Sequence, residues 1–200
     1  MSLLEKILPI ALFIFVTSIT PGPNNFMLAT SGLQFGLRRT LPHIGGIFTG
    51  ITVLMLMAVF GLNQLLLNLP GALLTLRLLG SAYLLYLAWK ILGFSIATNH
   101  NKQTRPMTFV QAGLFQFANP KAWMASSAMV ALALPLFDSL WVAIEVLLIT
   151  RTTIGVGCNC LWVLSGVGLR HLLSQTRWRR IINLTLALLT AMTVGLFWIE

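Results

Sequence analysis

Residues Leu4–Leu28 read LEKILPIALFIFVTSITPGPNNFML. A helix crosses a bilayer with about 20 mostly apolar residues, and this stretch is long and apolar enough. Near its end it is interrupted by Thr20-Pro21-Gly22-Pro23-Asn24-Asn25. Pro21 and Pro23 cannot donate backbone hydrogen bonds, so the carbonyls of Thr17 and Ile19 lose their helical partners. Gly22 adds backbone freedom. Unwound backbone at membrane depth is tolerated only where protein or a water-filled cavity satisfies it. A broken spanning helix therefore points to a polar site inside an apolar protein. A plain proline kink that serves packing is the competing reading.

Working outward, the rest of the chain has the same character. Of 200 residues, 57% are hydrophobic and 8% charged, whereas a soluble domain carries about 25% charged residues. Further apolar stretches run over Leu41–Leu65, Ala72–Gly93, Phe109–Pro135, Leu140–Val163 and Ile181–Ile199. The expected fold is an all-α membrane protein of six transmembrane helices, a single transporter domain over residues 1–200 with no room for an aqueous domain. The run Ile7–Ile19 follows only Glu5 and Lys6 and precedes no small-residue cleavage site before Pro21, so it reads as the first span rather than a cleaved signal. In a soluble protein the net charge of +9 would suggest nucleic acid. Here the basic residues sit between apolar segments and read as topology signals beside anionic lipid headgroups, with no nucleic-acid partner.

Their distribution predicts orientation. The first connection carries Arg38 and Arg39; the third carries Lys90, Lys102 and Arg105; the fifth carries Arg170, Arg177, Arg179 and Arg180. The opposite side has only Lys6. Positive loops stay cytoplasmic, so both termini are expected in the periplasm of a multi-pass bacterial inner-membrane protein. The third connection divides the chain into halves of three helices, roughly 1–97 and 106–200, joined by a cytoplasmic loop. An odd number of spans per half makes the second half an inverted-topology repeat of the first.

The first helix of each half is broken at proline. In the fourth span the break is Asn119-Pro120-Lys121, where Pro120 frees the carbonyl of Gln116. Matching interruptions in two halves are the best sequence pointer to a transport site. The helix start after Pro23 offers free N–H groups and a positive dipole end to a carboxylate. Asn24 and Asn25 add neutral donors and acceptors, and freed carbonyls can accept from an ammonium group. The hydroxyls of Thr17, Ser18, Thr20, Ser126 and Ser127 flank the breaks, either lining a polar path or re-satisfying carbonyls.

Single residues sharpen this. Lys121 lies near mid-membrane, where a buried ammonium is costly and therefore a functional candidate, for a substrate carboxylate or a fixed acid. Trp123, beside it, either shapes the substrate cavity or simply packs. Glu145 is the one acid well inside a span; it is the candidate proton carrier, or else half of a structural pair with Arg77 or Lys121. Arg151, six residues further on, faces away from Glu145 at 100° per residue. Gly46-x3-Gly50 suits close helix packing, within the chain or in a homodimer. Cys158 and Cys160 are too close in sequence for an easy disulfide. His43, His100 and His171 have no second ligand at metal spacing, so no metal site and no cofactor is expected. No Gly-x-Ser-x-Gly, Walker loop or His-Glu-x-x-His is present, so the chain does not read as an enzyme.

Three stretches add a family resemblance: Thr20-Pro21-Gly22-Pro23-Asn24, Gly80-Ser81-Ala82-Tyr83-Leu84-Leu85-Tyr86-Leu87-Ala88-Trp89-Lys90, and Gln116-Phe117-Ala118-Asn119-Pro120-Lys121-Ala122-Trp123. In order and spacing they resemble the LysE/RhtB family of amino-acid exporters over essentially the whole chain. Pro23-Asn24-Asn25, Trp123, and Leu161-Trp162 followed by Gly166, Leu169 and Arg170 are most similar to members that export cysteine and O-acetylserine. Many relatives have an aspartate where Asn24 stands, which removes one familiar proton carrier. The segment Ile149–Cys160 is atypical. The resemblance implies efflux of a small amino acid coupled to protons, with homoserine, threonine, basic amino acids or a metal ion as alternative cargoes. A membrane scaffold without transport is the alternative of another class. The expected substrate-binding set is Pro21, Gly22, Pro23, Asn24, Asn25, Asn119, Pro120, Lys121 and Trp123.

Overall fold

The computed structural model describes residues 2–61, 105–169 and 176–195, together with positions 71, 74, 75, 78, 81, 82, 85, 86, 88, 89 and 92. Every regular element among them is helical. In chain order these are α1 (Leu3–Ile19), α2 (Pro23–Val59), α3 (Phe109–Phe117), α4 (Pro120–Ala133), α5 (Leu140–Thr150), α6 (Val156–Leu169) and α7 (Thr176–Gly195). A short 3₁₀ turn, Leu134–Leu136, closes α4, and a π-helical turn, Arg151–Gly155, joins α5 to α6.

Local chemistry sets the ends. Ser2 and Glu5 form a capping box that starts α1, and Thr108 with Gln111 does the same for α3. Pro23 and Pro120 take the first position of α2 and α4, where a missing N–H removes no helical bond.

At 37 residues, α2 is too long for one crossing; straight, it would run about 56 Å through a hydrocarbon core of about 30 Å. It bends at Gly36, whose φ of 79° is a glycine conformation. Ser31 Oγ and Thr40 Oγ1 lie 2.8 Å apart, whereas nine residues of straight helix would separate them by about 13.5 Å. The two arms, 23–35 and 37–59, therefore fold back on each other, with Arg38 and Arg39 exposed at the tip. The first connection expected from sequence is thus only a turn.

Helix boundaries shift elsewhere too. The fifth apolar stretch is helical from Leu140 to Leu169, past the expected end at Val163. The sixth begins at Thr176 rather than Ile181. In the third stretch the described positions 74–92 are helical. Arg77, Lys90, Lys102, His100, Arg170, His171 and Trp198 lie outside the described residues.

Small residues let the helices approach. A Cβ on Gly50 would stand 2.5 Å from the carbonyl oxygen of Gly113, and one on Gly46 would collide with the carbonyl of Phe109, so the second arm of α2 lies directly on α3. The Gly46-x3-Gly50 spacing serves packing within the chain. Gly32 meets Val163, and Gly166 meets Ala29, bringing the first arm equally close to α6. One apolar cluster joins Ile10 and Ile14 of α1 to Met55, Met129, Val130, Ala133 and Leu147. Another joins Leu28, Ile44 and Ile47 to Ala112 and Val163.

Many large apolar side chains among the described residues face outward. Leu4, Leu114, Ile149 and Met192 are exposed, an excess that a soluble monomer rarely tolerates and that hydrocarbon accommodates. Trp89, Trp141 and Trp178 are exposed as well, but Trp162 packs edge-on to Phe26 with ring centres 6.0 Å apart. Pro23–Val59 and Leu140–Leu169 are each long and apolar enough to cross a membrane.

Candidate functional site

The first break is open backbone. After Ile19, Thr20 (ψ 130°) and Gly22 (φ −175°, ψ 179°) are extended before α2 begins. Any residue adopts the backbone of Gly22, so its role is spatial rather than conformational. A Cβ there would meet Lys121 Nζ at 3.0 Å and Cδ at 3.1 Å. Pro21 and Pro23 offer no N–H to the carbonyls of Thr17 and Ile19, and the side-chain donors at the break reach the neighbouring carbonyls of Ser18, Thr20 and Pro21. Asn25 Nδ2 donates to Ser18 O at 3.0 Å and to Thr20 O at 2.8 Å. Lys121 Nζ donates to Thr20 O at 2.7 Å and to Pro21 O at 3.4 Å.

The second break is tighter. Pro120 does not orphan Gln116, because the backbone N–H of Asn119 donates to Gln116 O at 3.2 Å. The next carbonyl, of Phe117, accepts from Trp123 Nε1 at 2.8 Å. The Trp123 ring is buried with Leu54 and Ala122 and lies outside the cavity described below. It seals the break, a role that the expected cavity-shaping one does not match.

The two breaks exchange side chains. Asn24 and Lys121 occupy equivalent places, each following the proline that opens a helix. Lys121 crosses to the carbonyls that end α1. Asn24 crosses to Gln116 in the last turn of α3, giving at 2.8 Å and receiving at 3.0 Å. Gln116 is fully buried and donates a second time, to Ala112 O at 2.9 Å. Such reciprocal amide pairing satisfies groups that would otherwise be costly to bury.

Between the breaks lies a cavity of about 80 Å³, room for roughly six water-sized groups. Gly22, Pro23, Asn24, Asn25, Asn119 and Lys121 of the expected set line it; Pro21 and Pro120 shape the breaks without facing it. Thr17, Ser18, Ser126 and Asn159 add polar wall, and no Asp or Glu takes part among the described residues. Asn119 Oδ1 and Ser126 Oγ are buried without a partner among the described residues.

Glu145 is elsewhere. It is exposed on the face of α5 that carries Trp141 and Ile149, one turn away on either side, and it does not line the cavity. Arg151 does line it, on the opposite side of the helix as the spacing predicts. The helical spacing places Arg151 relative to Glu145 without giving it a role; depth and charge are the signal for one, since a cation inside a span is a functional candidate by default. Gln116 enters the sequence argument only through its carbonyl, but in the structure it acts through its side chain.

The model of the LysE-type translocator family matches residues 15–199. The cysteine/O-acetylserine efflux proteins of Escherichia coli K12 and of Shigella flexneri serotype 5b are each 32% identical to the chain over 180 residues, covering 88% of it and 89% of their own length. The same figures hold for the protein of that name from E. coli O1:K1. No solved structure matches. A broken-helix cavity with a polar wall inside an apolar shell is what a membrane transporter needs, and the match spans nearly the whole chain: it belongs to the LysE-type translocator family.

Proposed function

We propose that this translocator exports small neutral amino acids of the cysteine and O-acetylserine kind across the bacterial inner membrane, with both termini in the periplasm. The observation that carries the reading is the wall of the cavity. Among the described residues it presents two cationic side chains, Lys121 and Arg151, together with neutral amides and hydroxyls, and no carboxylate. An anionic group on the cargo is welcome there, while a lysine side chain or a divalent metal ion meets only like charge. The small volume favours a short side chain. The two halves act as inverted repeats, and rocking one against the other around the breaks alternates access.

Proton coupling is part of the proposal. Glu5 is engaged in the cap of α1, and Asp138 lies in the turn after α4, which leaves Glu145 as the described acid inside an apolar helix. A carboxyl that relays protons is therefore Glu145, reached from the outer face of α5. The test is growth of a host lacking its own exporters under inhibitory cysteine, O-acetylserine, threonine or lysine, with and without expression. Protection against the first two alone is expected. Equal sensitivity to all four, with the protein present in the membrane, counts against the reading.

A further inference from the structure

We infer that Arg151 is the anchor for the carboxylate of the cargo, an inference that rests on reading the cavity as the transport site. Arg151 is 7% exposed and opens the π-helical turn in the middle of the long helical stretch Leu140–Leu169. Single π turns concentrate at functional sites because they break the helical ladder locally. A buried guanidinium at membrane depth demands compensation, yet no carboxylate pairs with Arg151 among the described residues. Its partners are neutral. Nη1 donates to Phe48 O at 3.1 Å and to Thr52 Oγ1 at 2.9 Å. The guanidinium carbon lies 4.8 Å from the centre of the Phe48 ring. Thr52 Oγ1 donates in turn to Phe48 O at 2.8 Å, so the second arm of α2 holds the group in one orientation.

What remains free decides the assignment. All hydrogen bonds of Arg151 use Nη1; Nε and Nη2 donate to no protein group among the described residues. Those two N–H groups form the side edge of the guanidinium, which takes a carboxylate through two parallel bonds. The other cation of the wall among the described residues is differently employed, because Lys121 gives two of its three N–H groups to the carbonyls of Thr20 and Pro21. Lys121 thus ties the breaks together, and Arg151 faces the cavity with an unused fork. Gly155, one turn on, leaves the Arg151 stem in contact distance at 3.6 Å from where a Cβ would be, and Ser18 stands just beyond. The neutral oxygens of Ser18 and Asn159 are then left for the ammonium end of the cargo.

The experiment is uptake into inside-out vesicles by wild type, Arg151→Gln and Arg151→Lys, using cysteine, O-acetylserine, and cysteamine, which is cysteine without its carboxyl. Wild type should favour cysteine over cysteamine by on the order of 10- to 100-fold in kcat/KM, as expected for loss of a charge-assisted pair. In Arg151→Gln that preference should collapse because cysteine falls and cysteamine does not. Arg151→Lys keeps the charge without the fork, so KM for cysteine should rise about tenfold with kcat little changed. A folded Arg151→Gln that still prefers cysteine overturns the assignment and leaves the cargo class standing. Should that variant fail to reach the membrane, an unchanged KM in Arg151→Lys overturns it equally. Absence of saturable cysteine and O-acetylserine uptake in wild type overturns the cargo class instead, and the anchor with it.

Discussion

The amide pair between the breaks makes a prediction whose sign is unusual. Asn24→Ala removes both reciprocal bonds to Gln116 and leaves its Oε1 without a partner in a site with no exposure to solvent. Nε2 keeps only Ala112 O. A buried polar group abandoned in this way costs about 1–3 kcal/mol. For a chain of this size each kcal/mol moves the midpoint of heat denaturation by roughly 2–4 °C, so a central value of about 2 kcal/mol gives a drop of roughly 4–8 °C. Gln116→Leu fills the same space with apolar atoms and abandons only Asn24, which is half-buried at the cavity edge where water reaches it. Its cost should be nearer about 1 kcal/mol. In the double variant Asn24→Ala/Gln116→Leu nothing buried is orphaned, so it should be more stable than Asn24→Ala alone. The assay is a double-mutant cycle on the four purified proteins in one detergent, reading the denaturation midpoint at a fixed scan rate. A double variant that loses the sum of the two single losses, or more, refutes the argument that this pair exists to satisfy buried amides.

Other substitutions separate the parts of the site. Gly22→Ala pushes on Lys121 from 3.0 Å and weakens its bond to Thr20 O; export should fall roughly threefold to tenfold with thermal stability near wild type, and unchanged export would remove Gly22 from the site. Gly50→Ala places a Cβ 2.5 Å from backbone of α3 and 2.7 Å from Gln116 Cγ, so it should lose about 1–3 kcal/mol of stability, and a neutral result in thermal denaturation would contradict the close approach. Trp123→Phe removes the donor to Phe117 O while keeping an aromatic ring, which should cost about 1–2 kcal/mol and leave KM for cysteine alone; a raised KM would return Trp123 to the cavity. Glu145→Gln should insert and fold normally while export stops responding to an imposed proton gradient, and a retained response in vesicles would take Glu145 out of the coupling.

How much of this was legible in the sequence depends on whether the feature is local. A proline has no N–H wherever the chain goes, so the breaks at Pro21, Pro23 and Pro120 could be read directly, as could the helices that begin at Pro23 and Pro120. The six residues that line the cavity from the expected set all come from those two motifs. Which donor answers which carbonyl is not local: Lys121 and Thr20 are 101 residues apart, as Asn24 and Gln116 are 92 apart. Depth in the span makes Lys121 a candidate for a substrate carboxylate or a fixed acid, because an ammonium there needs a partner, while the freed carbonyls are open to the cargo's own ammonium. In the structure those two needs answer each other, which passes the search for the carboxylate partner to the remaining cation of the wall. Arg151 could have been flagged on the same ground of depth and charge. Its fork could not, since that depends on which nitrogen the second arm of α2 occupies, and the arm is brought there by a turn at Gly36 and by glycines whose partners lie in α3. Trp123, either a cavity wall or a packing residue from sequence, shows the same limit in reverse. Its place two residues after Lys121 suggests a shared cavity, but residues two apart on a helix point about 200° apart, and the ring turns to the carbonyl of Phe117 instead.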